Sequence, residues 1–273
     1  MFICNNAGMA QHAVLSGVDR VFVDLEIHGK FERQGHRDTL ISGHSVDDVA
    51  AVRAAIGHTE LVVRVNPLHA HSPEEVNAVV TAGADLLMLP MFKTAVEVMH
   101  FVEMVQGRAK VIVLVETPSA MKDFGEILGV PGIDEVYIGL NDLHLGLKLD
   151  FMFELLADGS VEKMAKNCRE VGIPFGFGGI ARMDEGLLPG DLVLAEHLRL
   201  ESTVVILSRT FHRGSTSLDE MHANLDFARE VARLRDYETR LARRDQSEIE
   251  ADHRRLLQGV ADITAQIRFQ HSR

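Results

Sequence analysis

Short runs of β-branched and aliphatic residues alternate with longer amphipathic stretches from one end of the chain to the other. The runs fall at residues 2–4, 20–24, 60–65, 86–89, 110–115, 135–139, 174–177 and 204–207, and their composition predicts eight strands. Helical spacing occupies the gaps at 7–16, 45–56, 72–82, 94–105, 118–128 and 160–171, with a weaker pattern at 191–198 and a long one from 218. Start signals support several of these helices: Ser45 with Asp48 three residues on, and Pro73 in a first turn. Alternating strands and helices imply parallel pairing with the helices outside, and eight such units favour a closed (β/α)8 TIM barrel over an open doubly wound sheet. An open sheet would carry a Gly-rich loop after its first strand, and Cys4-Asn5-Asn6-Ala7 is not one. Residues 1–217 then form the α/β barrel domain, and 218–273 supply the last barrel helix plus a C-terminal helical extension.

In such a barrel the chemistry sits at the C-terminal ends of the strands. Read in order, those ends carry Asp24-Leu25-Glu26, Arg64-Val65-Asn66-Pro67, Leu89-Pro90, Glu116-Thr117-Pro118, Asn141-Asp142, Gly178-Gly179 and Ser208-Arg209. Acids and a cation therefore converge on one mouth. Glu116 and Asp142, on adjacent strand ends, form an oxygen donor pair suited to magnesium or manganese better than to zinc. Each acid alone has a plainer reading, Asp142 as a helix cap and Glu116 as an ion-pair partner of Arg64. Strand alternation puts Asp24 and Glu26 on one face, where either can serve to hold a neighbour.

Composition narrows the function classes. The chain has 273 residues, 46% hydrophobic, and a formal net charge of −12, which offers no general attraction for nucleic acid or anionic membrane. An anionic substrate must then be gripped by local cations or a metal. Two cysteines, Cys4 and Cys168, without CxxC spacing suggest neither a disulfide framework nor a zinc site. With no signal-like or membrane-length apolar run, a cytoplasmic protein is expected. The G-x-G-x-x-A pattern in residues 176–181 follows the seventh strand in place of the first; close backbone approach to a ligand suits Gly178 and Gly179 better than a dinucleotide does.

The strand-end motifs, together with Met88-Leu89-Pro90, Pro131-Gly132-Ile133-Asp134 and Ile138-Gly139-Leu140-Asn141-Asp142-Leu143, resemble in order and spacing the HpcH/HpaI aldolase and citrate lyase family over residues 1–212. The resemblance implies a metal-dependent barrel that makes or breaks a carbon–carbon bond next to a 2-oxo acid, typically pyruvate, with an aldehyde as the other product. It implies that Glu116 and Asp142 bind the divalent metal (magnesium, manganese or cobalt), that backbone N–H groups near Asn141 and Asp142 hold the substrate carboxylate, and that Arg64 hydrogen-bonds the developing enolate oxygen. Two positions depart from the family pattern. The His that follows the second-strand Glu is displaced, since Glu26 precedes Ile27 and only then His28, and Leu114 occupies the place of a Gln. The general base is then His28, His36 or a metal-bound hydroxide, with Glu26 beside them. The loop from 28 to 43 is rich in Arg, Gln and His and is a candidate grip for an anionic or polyhydroxylated second reactant. An acyl-CoA-dependent lyase and a non-catalytic oxo-acid-binding barrel stand as alternatives.

The tail speaks to partners. Phe227, Val231, Leu234 and Leu241 lie on one helical stripe, and Ile249, Leu256, Val260, Ile263 and Ile267 on another, with Ser247 and Glu250 spaced as a capping box. These stripes need cover, either from a second copy in a homo-oligomer or from the protein's own barrel.

Overall fold

The computed structural model describes residues 1–27 and 45–271. Eight strands, β1 (Phe2–Ile3), β2 (Arg20–Asp24), β3 (Glu60–Arg64), β4 (Leu86–Leu89), β5 (Lys110–Val115), β6 (Glu135–Ile138), β7 (Phe175–Ile180) and β8 (Val204–Leu207), close into a barrel in chain order. Every neighbouring pair is parallel, including β1 with β8. The helices between them are α1 (Ala7–Leu15), α2 (Val46–Ala55), α3 (Ser72–Thr81), α4 (Ala95–Val105), α5 (Pro118–Lys122), α6 (Phe124–Leu128), α7 (Leu140–Gly146), α8 (Glu154–Ala157), α9 (Ser160–Val171) and α10 (Gly190–Arg199). After β8 come α11 (Leu218–Asn224), α12 (Phe227–Leu241) and α13 (Gln246–His271). The expected α/β barrel with a C-terminal helical extension is therefore present. No described helix is long and apolar enough to cross a membrane.

Local chemistry accounts for most element boundaries. Ser45 and Asp48 form a reciprocal capping box at the start of α2, and Thr94 with Glu97 does the same for α4. Three expectations are corrected. The helix expected over 118–128 is two, because Asp123 leaves helical geometry to end α5 and begin α6. The long helix from 218 breaks at Leu225, which is extended (φ −165°, ψ 158°) and packs on the core, while the Asp226 carboxylate accepts from Arg229 N at 3.0 Å to start α12. The box before α13 is Asp245 with Glu248, their reciprocal bonds each 2.9 Å, two residues ahead of the expected Ser247 and Glu250.

Strand alternation sorts side chains into two cores. Outward-facing Val23, Val63, Leu87, Val113, Val136, Phe175 and Phe177 pack under the helices, whereas Phe22, Val62, Leu86, Met88, Ile112, Leu114 and Tyr137 fill the barrel. The β7–β8 register shifts between Gly176 and Gly179, and Tyr137 repairs the gap from within. Its hydroxyl accepts from Ile206 N at 2.9 Å and donates to the Gly178 carbonyl at 2.5 Å. Gly176 makes room for that ring: a Cβ there would lie 2.7 Å from Tyr137 Cε2 and 2.4 Å from the Val204 carbonyl.

The α10 helix docks through His197, whose ring lies flat on Phe177 with centroids 3.7 Å apart. His197 Nδ1 meets Ser202 Oγ at 2.8 Å, and that hydroxyl in turn reaches the Val204 and Phe175 carbonyls. The buried Nε2 has no hydrogen-bond partner among the described residues. Burial lowers the imidazole pKa to about 3. Above pH ~6.5 the ring is neutral folded or unfolded; below it the unfolded chain takes up a proton first, so stability falls as pH drops toward 3. The expected slope from this residue reaches about 1.4 kcal/mol per pH unit, measured by urea unfolding between pH 6 and 4. His197→Leu removes that share, and an unchanged slope in the variant would contradict the assignment.

Candidate active site

The inward parity that fills the barrel with apolar side chains ends, at the C-terminal rim, in charge. Asp24 follows Phe22 on β2, Arg64 follows Val62 on β3, and Glu116 follows Leu114 just beyond β5. Arg64 donates from Nε and Nη2 to the two oxygens of Asp24, both at 2.8 Å, and Nη1 lies 3.3 Å from Glu26 Oε2. Its side chain is 15% exposed, and those of Asp24 and Glu26 only 3% and 1%. Burial alone would lower the Arg64 pKa, but the Asp24 and Glu26 carboxylates, with Glu116 beyond them, hold it well above the usual range. Arg64 is thus a permanent cation. Two of its five N–H groups donate to Asp24, and Nη1 forms an ion pair with Glu26.

Glu116 is 3% exposed and, among the described residues, is held by one bond, Oε1 accepting from Met91 N at 3.1 Å. Burial pushes its carboxyl up to about 8; Arg64 pulls the other way, and the Asp142 and Glu26 charges add to the rise. Oε2 borders Gly139, where a Cβ would stand 3.0 Å from that oxygen and 2.8 Å from the Glu116 Cβ. The missing side chain leaves a cradle beside a carboxylate oxygen that no described donor reaches. Asp142 does not extend strand β6, which ends at Ile138; it lies in the first turn of α7, capped by Gly139, with Asn141 exposed beside it. The acid thus leaves the buried strand and sits half-buried at a helix start, where the backbone N–H groups favour negative charge.

Arg64, Glu116, Asn141, Asp142, Gly178 and Gly179 line one cavity of about 550 Å³. Glu26 stands behind Arg64, outside the lining. His28 and His36, with the rest of the loop from 28 to 43, lie outside the described residues. Gly178 has a structural reason for its size besides any ligand, since its φ is +54° and a Cβ would meet the Leu140 side chain at 2.8 Å. Leu114, at the place of the family Gln, belongs to the inner core and forms part of the cavity floor. His69 Nε2 lies 3.0 Å from the Glu75 carboxylate. Glu75 also holds Asn66, whose Oδ1 accepts from Ile27 N at 2.8 Å and pins the chain beyond β2.

Arg209, read at the eighth strand end without an assigned role, adds a second guanidinium to the lining. One feature escaped the sequence reading: Phe151, Met152, Phe153, Leu187 and Leu188 make an apolar wall. The Phe-Met-Phe run, in a stretch with neither strand nor helix periodicity, was the available signal for the wall.

A family model described as HpcH/HpaI aldolase/citrate lyase matches residues 1–175. The chain belongs to this family. A HpcH/HpaI aldolase/citrate lyase family protein from Burkholderia cenocepacia J2315 is similar in structure at a TM-score of 0.59 and 18% identity, over 76% of this chain and 87% of that one. The HpcH/HpaI aldolase from Desulfitobacterium hafniense DCB-2 is similar at 0.58 and 17%, over 76% and 84%. The citrate synthase SbnG is similar at 0.56 and 20%, over 77% and 85%. No curated protein matches the chain. These likenesses share the barrel fold, and the family as a whole is one of aldolases and lyases.

The two-carboxylate set suits a divalent cation on three counts: hard oxygen donors, an Oε2 without a described donor, and the Gly139 cradle beside it. Among the described residues no third His, Cys, Asp or Glu completes a cluster, so water and substrate would fill the remaining positions. The Arg64 clamp carries its own prediction. Asp24→Ala leaves a buried guanidinium short of its bidentate partner and is expected to cost about 3–5 kcal/mol in chemical denaturation, whereas Asp24→Ala combined with Arg64→Met regains most of it. Equal losses in the single and double variants would show that Asp24 acts by packing alone.

Proposed function

We propose that this member of the family is a divalent-metal-dependent 2-oxo acid aldolase, cleaving or forming the carbon–carbon bond next to the oxo acid, with pyruvate as the donor product. The observation that carries the reading is the placement of Arg64, locked by Asp24 and Glu26, on the same cavity as Glu116 and Asp142. Magnesium, manganese or cobalt held by Glu116 and Asp142 would supply Lewis acidity at the keto oxygen.

The protein's own groups account for the rest of the step. Cleavage of a hydroxy-oxo acid turns the keto oxygen into an enolate oxygen, whose negative charge exists in full only once the bond has broken. The Arg64 N–H groups not bonded to Asp24 suit that oxygen, and Asp24 and Glu26 hold the guanidinium in place before the reaction begins. Backbone N–H groups in the first turn of α7, near Asn141 and Asp142, suit the substrate carboxylate. The low exposure of Arg64 and Glu116 limits water around the developing charge. For the proton of the reacting hydroxyl, His28 and His36, outside the described residues, stay candidates beside a water on the metal.

Deuterium exchange at the pyruvate methyl, followed by NMR with manganese or magnesium, tests enolate formation without the second reactant. Exchange is expected in the native protein, lost on EDTA and in Glu116→Gln, and reduced on the order of 100-fold or more in Arg64→Lys, which keeps the charge and loses the fork. Gly139→Ala is expected to weaken Mn²⁺ binding about tenfold or more by titration calorimetry, since its Cβ fills the cradle at Glu116. Absence of exchange with every metal would overturn pyruvate as the donor, and undiminished Mn²⁺ binding in Glu116→Gln would overturn the ligand assignment.

A further inference from the structure

The cavity lining combines two kinds of surface. Arg64, Glu116, Asp142 and Arg209 supply its charge, and the segments after α7 and after β7 supply its apolar half through Phe151, Met152, Phe153 and Leu188. The helix that touches both of those segments is α13, which lies across the protein's own α10 and α8. We infer that α13 is a brace that sets the apolar half of the mouth, and that this half receives a second reactant carrying an apolar chain; the second clause rests on the aldolase reading above.

Two contacts tie α13 to the wall. Gly259 faces Leu188 so closely that a Cβ would come within 3.2 Å of its Cδ1. Glycine inside a helix costs about 1 kcal/mol relative to alanine, and this contact gives the position a reason. On the other segment, Arg268 Nε donates to Asp150 Oδ2 at 2.5 Å and Nη2 reaches Glu154 Oε2 at 3.4 Å. Glu154 Oε1 in turn accepts from the backbone N–H groups of Asp150 and Phe151, both at 2.9 Å, and the Phe151 and Phe153 rings pack edge to face at 5.3 Å. Arg268 therefore acts on the wall through the backbone that presents it.

The helix is itself firmly seated. Leu256 and Val260 are buried, Arg244 donates to the Ala195 carbonyl at 3.0 Å and to Asp252 at 2.8 Å, and His253 meets the buried Glu196 at 3.2 Å. A polar wall would favour a polyhydroxylated reactant by hydrogen bonding. This wall offers aliphatic and aromatic surface, worth roughly a fourfold gain in affinity for each methylene it covers.

The test uses the full chain with manganese and two variants, Arg268→Ala on the surface and Gly259→Val in the seam. Hydrogen exchange by mass spectrometry is expected to quicken at least tenfold in peptides covering residues 150–153 and 186–188, with those covering β3 and β5 unchanged. In addition of pyruvate to aldehydes from propanal to hexanal, native kcat/KM is expected to rise about fourfold per methylene. Both variants raise the KM for hexanal at least tenfold while pyruvate methyl exchange stays within twofold. Unaltered loop exchange in both variants would overturn the brace, as would a joint fall of addition and pyruvate exchange. A kcat/KM independent of chain length, or higher for glyceraldehyde, would overturn the apolar reactant. If the native protein shows no pyruvate exchange, the aldolase reading fails by itself: loop exchange still decides the brace, and saturation-transfer NMR of hexanal against glyceraldehyde still decides what the wall selects.

Discussion

Everything at the mouth depends on keeping one guanidinium charged and immobile where water is scarce. A lone buried cation costs several kcal/mol, so Arg64 requires Asp24 in a bidentate fork and Glu26 on its third edge. That solution imposes the next constraint. With two acids already spent on Arg64, Glu116 and Asp142 add negative charge that Arg64 only partly offsets.

The barrel makes such a cluster possible at modest structural cost because strand parity does the sorting. Position by position, Phe22 and Asp24, Val62 and Arg64, Leu114 and Glu116 are two residues apart, so each pair points the same way. The apolar member packs the interior and the polar one meets the mouth. The same rule explains Tyr137, which sits two residues before Gly139: its ring fills space vacated by Gly176, and its hydroxyl satisfies backbone groups that the β7–β8 shift would otherwise leave unpaired. Where the mouth needs room instead of bulk, Gly139 supplies it.

Period-two and period-3.6 patterns were therefore enough to read the eight strands, most helices and the acids and arginine at the strand ends. What they could not show was tertiary in origin. The break at Leu225 depends on a core contact, and the start of α13 on which of two overlapping capping patterns the chain adopts. The pairing of Arg64 with Asp24 in preference to Glu116 is decided by barrel register, since Asp24 and Arg64 are partners across β2 and β3. The apolar wall left almost no trace, because Phe151, Met152, Phe153 and Leu188 come from irregular segments whose neighbours are set by a helix roughly a hundred residues further along the chain.

That division has a chemical logic. The family model ends at residue 175, so Arg64, Glu116 and Asp142 fall inside the matched segment, and Leu188, Arg209 and the whole of α13 fall outside it. The groups that would stabilise an enolate are thus built from strand ends, where backbone hydrogen bonds on both sides fix position most tightly. The surface that would meet the second reactant is built from connecting segments, which tolerate change in sequence and length more readily than strands do. A barrel organised this way can keep its charged half fixed while the wall changes, provided that something external stiffens the segments that carry it. In this chain α13 occupies that position, with Gly259 against one segment and Arg268 against the other.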